Sequence, residues 1–254
     1  MVLCIDIGNT NIEVGGVSLG GICFQERIST EIDRTELEYA ILLNSALRIH
    51  AIDRDEIEGS IISSVVPPLV HIMKDAVRKL LGITPMVVGA GIRTGLDIKI
   101  DNPKALGADI VVDSVAARDK FGSPVIVIDM GTATTITIIN NKGIYIGGVI
   151  IPGVRTSLEA LVSDTSQLPR VSLSAPKRCI CTNTVDCMKS GIINGQAAMI
   201  DGMIERFESE LGYTTIHVAT GGLARVIIPK CHNKYIIDND LMLEGLKIIY
   251  DKNV

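Results

Sequence analysis

Two short segments carry the residues best suited to chemistry. Asp6-Ile7-Gly8-Asn9-Thr10-Asn11 follows the apolar run Val2 to Ile5, and Asp129-Met130-Gly131-Thr132-Ala133-Thr134-Thr135 follows Val125 to Ile128. In each, a carboxylate stands at the end of an apolar run, a Gly comes two residues later, and small hydroxyl or amide residues follow. A carboxylate placed there can hold a cation or a metal-bound water, while the Gly lets backbone amides approach an anion closely. Asn9, Thr10, Thr132, Thr134 and Thr135 add neutral donors. Two such turns facing one another are expected to clamp the β- and γ-phosphates of a nucleotide together with their metal.

Other patterns fail on context. The P-loop spacing is absent, and no Gly-Lys dipeptide exists in the chain. Gly89-Ala90-Gly91 followed by Gly95 misses the dinucleotide fingerprint and opens no helix. Gly16-Val17-Ser18-Leu19-Gly20 matches a nucleophile elbow, but the residues after it read as a strand where that elbow needs a helix, so a hairpin turn is expected. The four histidines show no metal spacing. The six cysteines include no Cys-x-x-Cys pair, and Cys179, Cys181 and Cys187 with His232 match no common zinc pattern. Reduced thiols acting as small apolar residues are expected.

The elements that must position the two turns repeat at half-chain spacing. Residues 2–11, VLCIDIGNTN, align with residues 125–134, VIVIDMGTAT, at an offset of 123, and Gly20 aligns with Gly143. Around each Asp the pattern predicts a buried strand, a turn, a second strand, a Gly turn and a third strand: 11–17 and 21–29 in the first half, 135–139 and 144–151 in the second. Thr35 and Glu38 form a capping-box pattern ahead of Leu37, Ala40 and Ile41, predicting a helix over 36–50. Helices are also expected over 68–81, from Pro103 to about 120, over 154–161 and 183–211, and over 240–250. This predicts an α/β protein of two similar domains, residues 1–120 and 121–254.

Composition narrows the function classes. With 254 residues, 47% of them apolar, the chain can bury a core without staples. No uncharged run reaches the roughly 18 residues of a membrane helix, and Pro67 and Pro68 cut the longest candidate. The net charge is -5, with no Trp, three Phe and five Tyr, so neither a basic face nor a set of stacking aromatics for nucleic acid is present. The amino terminus lacks the features of a secretory signal, and a cytoplasmic product is expected.

The ordered motifs resemble the type III pantothenate kinases, a family of the acetate and sugar kinase/actin-like superfamily. The resemblance rests on Asp6 to Asn11, Ser63-Ser64-Val65-Val66-Pro67, Asp101-Asn102-Pro103 with Gly107-Ala108-Asp109, Asp129 to Thr135, Gly147 to Gly153, Asn183-Thr184 with Ser190-Gly191, Gly221-Gly222, and Asp240-Leu241 with Glu244-Gly245-Leu246. It implies two ribonuclease H-like (actin-like) domains, each a mixed sheet flanked by helices, with an interdomain cleft. It also implies ATP-dependent phosphorylation of the pantothenate hydroxyl, with Mg2+ and a monovalent cation, K+ or NH4+, in a homodimer.

Carried over by position, Asp6, Ile7, Gly8, Asn9, Thr10, Asn11, Ile12, Glu13 and Thr132 hold ATP, and Asp129 binds the monovalent cation. Ile100, Gly107, Ala108, Asp109, Ile110 and Thr184 line the pantothenate site, with Asp109 as general base. Ile100 and Ile110 stand where the family usually has Tyr and Arg. That departure leaves two alternatives open: a nucleotide-binding regulatory homologue without turnover, and a kinase for another small hydroxy acid.

Overall fold

The computed structural model describes residues 1–254, which divide into two compact units: Met1–Lys120 with Asp240–Val254, and Phe121–Asn239. The first unit opens with an antiparallel meander, β1 (Val2–Ile7), β2 (Asn11–Ser18) and β3 (Gly21–Ser29). Leu19 and Gly20 make the turn between β2 and β3, as the failed elbow pattern predicts. Helix α1 (Glu36–Ile49) begins with the predicted capping box: the Glu38 amide donates to Thr35 Oγ1, and the Thr35 amide donates to Glu38 Oε2 at 2.8 Å. Then come β4 (Gly59–Ser64), α2 (Pro67–Leu81), and the short strands β5 (Met86–Val87) and β6 (Asp97–Ile98). Gly82 closes α2 in the left-handed conformation, φ 72°, which costs a glycine little.

The helix expected from Pro103 starts later. Pro103–Ala105 forms a separate 3-10 turn, Leu106 is extended, and α3 runs from Ala108 to Phe121. The extended residue matters because it presents Gly107 and Asp109 at a helix start instead of inside a continuous helix.

The second unit repeats the plan with β7 (Val125–Met130), β8 (Ala133–Ile139) and β9 (Ile144–Pro152), then α4 (Val154–Ser163), α5 (Thr184–Leu211), β10 (Ile216–Thr220), the short α6 (Ala224–Ile227) and β11 (Ile236–Ile237). The first unit's sheet runs in the order β3-β2-β1-β4-β5, and the strands of the second run β9-β8-β7-β10-β11. Counted within each half, both orders read 3-2-1-4-5. Strands one to three are antiparallel and strand four is parallel to strand one in both. Each meander also carries a register break at the corresponding place, between Gly16 and Val17 and between Ile138 and Ile139. Both units are therefore ribonuclease H-like, and each keeps its own apolar core. The first includes Leu3, Ile5, Ile7, Leu43, Ile62 and Met73, and the second includes Ile126, Ile128, Ile136, Ile193 and Ile200.

The closing helix α7 (Leu241–Asp251) departs from the half-chain division, which assigned it to residues 121–254. It packs on β1, β2 and β4 and so belongs to the first unit. Leu241, Leu243, Leu246 and Ile249 are buried, and Lys120 pairs with Glu244 at 2.8 Å. The physical reason is visible in β2 and β4. A Cβ at Gly15 would strike the Leu243 side chain, and one at Gly59 would strike the Tyr250 ring, so these glycines make room for the helix.

Candidate active site

The first turn joins β1 to β2 and spans Gly8-Asn9-Thr10-Asn11, between the register partners Ile7 and Ile12. Ile7 and Ile12 are fully buried in the first core, so only their main chain is available to a ligand. The turn is held by the Gly8 amide donating to Asn11 O at 3.0 Å, and a Cβ at Gly8 would sit 2.9 Å from that same oxygen. Thr30 Oγ1 donates to Gly8 O at 2.7 Å, and the Thr30 amide donates to Thr10 O at 3.1 Å. In a trans peptide the N–H points opposite to the C=O. With those carbonyls tied to Thr30, just past β3, the amides of Asn9 and Asn11 point away from it. The side chains of Asn9, Thr10 and Asn11 are exposed.

Asp6 lies one residue before the end of β1, opposite Glu13 on its antiparallel side and opposite Ser63 on its parallel side. Register partners share a face of the sheet. Burial pushes the Glu13 carboxyl up from the ordinary range, against the pull of Arg27 and the Gln25 amide that bond it. Ser63 Oγ is buried without a hydrogen-bond partner.

Asp109 stands in the first turn of α3. Its Oδ1 accepts from the Ile110 amide at 2.8 Å, and a Cβ on Gly107 would collide with that oxygen. Burial raises the Asp109 carboxyl above its usual range, only partly offset by the bonds from the Ile110 amide and from its own. A carboxylate shifted upward by desolvation is a better proton acceptor than an exposed one. Gly107, Ala108 and Ile110 are half-buried around it, and Ile100 is half-buried upstream.

The second turn is shorter. Met130 pairs with Thr134, leaving Gly131-Thr132-Ala133, and Asp129 is opposite Thr135 and, in the parallel direction, Thr220. Its surroundings come from distant chain. Thr156 in α4 donates from Oγ1 to Thr132 O at 2.9 Å, and Gly153 lies so close to Gly131 and Thr132 that a Cβ there would overlap the Thr132 carbonyl. Gly221, with φ +89°, brings the loop after β10 against Asp129: a Cβ would lie 2.5 Å from Oδ1 and 2.7 Å from the Met130 amide nitrogen. Thr132 is exposed, and Thr134 Oγ1 is buried without a partner. Thr184 is the first residue of α5, behind the cap Asn183, whose side chain accepts from the Asp186 amide at 3.0 Å.

The expected residues thus fall into two groups. Asp6 to Glu13, Ile100 and Gly107 to Ile110 belong to the first unit, and Asp129, Thr132 and Thr184 to the second. Sequence reasoning assigned no separate role to Ser63 or Thr220, the hydroxyl residues beside the two aspartates. The usable signal was an apolar run closing on a hydroxyl, Ile61-Ile62-Ser63 and Val218-Ala219-Thr220.

A family model of the type III pantothenate kinases matches residues 2–206. The chain belongs to that family. A type III pantothenate kinase from Halalkalibacterium halodurans is 43% identical over 254 residues, covering 100% of both chains. Among solved structures, a Baf-family protein from Campylobacter jejuni superposes with a TM-score of 0.61 at 21% identity, over 99% of this chain and 98% of that one. Component A of the (R)-2-hydroxyglutaryl-CoA dehydratase of Acidaminococcus fermentans gives 0.58 at 12% identity, over 98% and 96%. At such identities the two structures speak for the fold alone.

Proposed function

We propose that this protein phosphorylates pantothenate with ATP, the entry step to coenzyme A. The single observation that carries the reading is Asp109, a desolvated carboxylate fixed at a helix start within a chain similar over its whole length to a member of this kinase family. The hydroxyl oxygen of pantothenate attacks the γ-phosphorus of ATP, the bond to the β,γ-bridging oxygen breaks, and ADP leaves. Asp109 accepts the hydroxyl proton. Phosphoryl transfer needs little more from the protein than positioning and charge neutralisation.

Asp6, the Gly8 to Asn11 turn, the main chain of Ile7 and Ile12, Glu13 and Thr132 hold the nucleotide in this reading. Gly107, Ala108, Ile100, Ile110 and Thr184 line the acceptor site. Oxygen donors suit Mg2+, which keeps several waters and takes only one or two carboxylates beside the phosphates. That fits a chain in which no group of three or more His, Cys, Asp or Glu forms a dedicated cage. Bound Mg2+ and a monovalent cation at Asp129 would neutralise the phosphate charge. What supports a cation there is the pair of hydroxyl residues, Thr135 and Thr220, that stand opposite Asp129 on the two neighbouring strands, since hard cations take oxygen ligands. No helix is long and apolar enough to cross a membrane. A cytoplasmic homodimer completes the proposal.

A coupled assay of ADP release with pantothenate, ATP and Mg2+ tests this directly, with K+, NH4+ or Na+ as the only monovalent cation. Pantothenate-dependent turnover is expected in K+ and NH4+ and a sharp loss in Na+. Equal rates in all three salts would remove the cation role from Asp129, and no pantothenate-dependent ADP would remove the kinase reading.

A further inference from the structure

The thiols do not all behave as the apolar packing residues expected from sequence. Cys4 is buried in β1, but Cys179, Cys181 and Cys187 lie outside any core, with Cys179 and Cys187 exposed and Cys181 half-buried. These three fall within nine residues, on the approach to α5 and in its first turn. Cys187 Sγ donates to Cys181 O at 3.3 Å, and Cys181 Sγ donates to Arg178 O at 3.1 Å and Cys179 O at 3.8 Å. Ser190 Oγ donates to Cys179 O at 2.6 Å, which folds the approach segment back onto the helix. Cys23 and Cys231 have no such company: Cys23 bonds Ser18 Oγ, and Cys231 bonds the Ala197 and Ile227 carbonyls.

We propose that Cys181 and Cys187 are a dithiol modification site that a low-molecular-weight disulfide closes into a Cys181–Cys187 bridge around Asn183 and Thr184. Cys187 Sγ already rests against the main chain of Cys181, and a bridge requires the two Cα atoms only within roughly 4.4–6.8 Å. The Cα path between them is anchored, because the Cys187 amide donates to Asn183 O at 2.9 Å. The exposed Cys187 thiolate attacks one sulfur of the small disulfide, whose S–S bond breaks and releases one small thiol. The Cys181 thiolate then attacks the Cys187 sulfur of the mixed disulfide and releases the second. Two protein thiols are oxidised, one small disulfide is reduced to two thiols, and the two protons go to those thiols. Burial, with Asp186 and the neighbouring thiols, raises the Cys181 thiol above its usual range, so its intramolecular attack is the slower step and quickens as pH rises. Since the bridge encloses Thr184, it should also hinder the acceptor site, a consequence that rests on the kinase reading above.

The test uses the full-length reduced protein incubated with oxidised glutathione, then blocked with iodoacetamide and cleaved with trypsin. Cleavage after Arg178 and Lys189 places all three cysteines in one peptide, 179–189. The expected peptide is two hydrogens lighter, carries one alkyl group on Cys179, and accompanies a fall from six alkylatable thiols to four. Cys187→Ser should prevent the bridge, and Cys181→Ser should leave the mixed disulfide standing on Cys187. A Cys179–Cys181 bridge, a peptide that stops at glutathionylation in the unsubstituted protein, or three alkylated cysteines would each overturn the assignment. The bridge is read by mass without turnover, so a protein that is inactive while reduced and still forms the bridge counts against the kinase reading and not against the dithiol. Full pantothenate turnover in the bridged protein would overturn the link to Thr184.

Discussion

The two halves share a sheet order and an aspartate at the same strand position, yet they build their turns by different means. The first turn closes on itself: Gly8 is confined by Asn11 O within its own hairpin, and Thr30, just past β3, ties down the carbonyls. The second turn is one residue shorter and is shaped from outside, by Gly153 and Thr156 at the start of α4 and by Gly221 after β10. Asp6 faces a carboxylate across the hairpin, Glu13, where Asp129 faces a hydroxyl, Thr135. A duplicated topology therefore conserves where an aspartate emerges without conserving what surrounds it. In the proposed reading, those surroundings are what fit the first position to phosphates with their divalent metal and the second to a single cation.

The largest effect should come from a group found in only one half. Asp109→Asn removes the proposed base of the first unit, and kcat is expected to fall by about 10²–10⁴ with ATP affinity nearly unchanged. Single-turnover kinetics with a separate nucleotide-binding titration would show it. A variant retaining full kcat would leave the asymmetry between the halves without chemical meaning.

Next in size is the helix that only the first sheet receives from the far end of the chain. Leu246, on the inner face of α7, is fully buried. Truncation of such a leucine to alanine costs roughly 2–5 kcal/mol. Denaturant unfolding of Leu246→Ala should show this loss, and hydrogen exchange should place it in β1, β2 and β4. Protection lost equally in β7 and β8 would contradict the assignment of α7 to the first unit.

The glycines sharpen the contrast between the turns. Gly8→Ala meets a backbone oxygen at 2.9 Å, whereas a Cβ at Gly131 meets nothing closer than Ala133 O at 3.5 Å, an ordinary contact. Gly8→Ala should lower kcat/KM for ATP about tenfold or more, equivalent to ~1.4 kcal/mol, while Gly131→Ala stays within about twofold. Gly221→Ala should behave like Gly8→Ala, because its φ of +89° and the nearby Asp129 both oppose a side chain. Equal tolerance at Gly8 and Gly131 would erase the difference in construction.

The smallest effect is a pH dependence of stability. The Asp109 carboxyl is raised in the folded protein, so its contribution is fully present below the unfolded value, about 3.9, and is lost as pH rises through the folded one. Asp109→Asn should therefore be the more stable protein at neutral pH, with the difference closing as pH falls below about 4. A wild type more stable than the variant at pH 7 would reverse the sign and the burial argument with it.

Local signals carried most of the plan. The strand-Asp-x-Gly sequences, the Thr35–Glu38 box, the Gly82 stop and the half-chain offset are properties of neighbouring residues. Their physical causes (period, capping and left-handed backbone) act within a turn or a strand, and each is legible in the sequence. The start of α3 was less legible. Pro103 is a sound first helical residue, but the chain straightens at Leu106 before the helix begins at Ala108.

What the sequence by itself determined, then, is the two meanders with most of their helices, the two aspartate turns and the family. Only the tertiary structure decided that Gly15 and Gly59 exist to admit α7, that Ser63 and Thr220 sit beside the aspartates, and that Gly153 and Gly221 press on the second turn. Strand register sets the first neighbours of Asp6 and Asp129, and long-range packing sets the rest. Gly221 meets Asp129 across 91 intervening positions of chain because β10 pairs in parallel with β7. No local propensity encodes such a meeting, since it depends on which apolar faces find each other once both strands have formed.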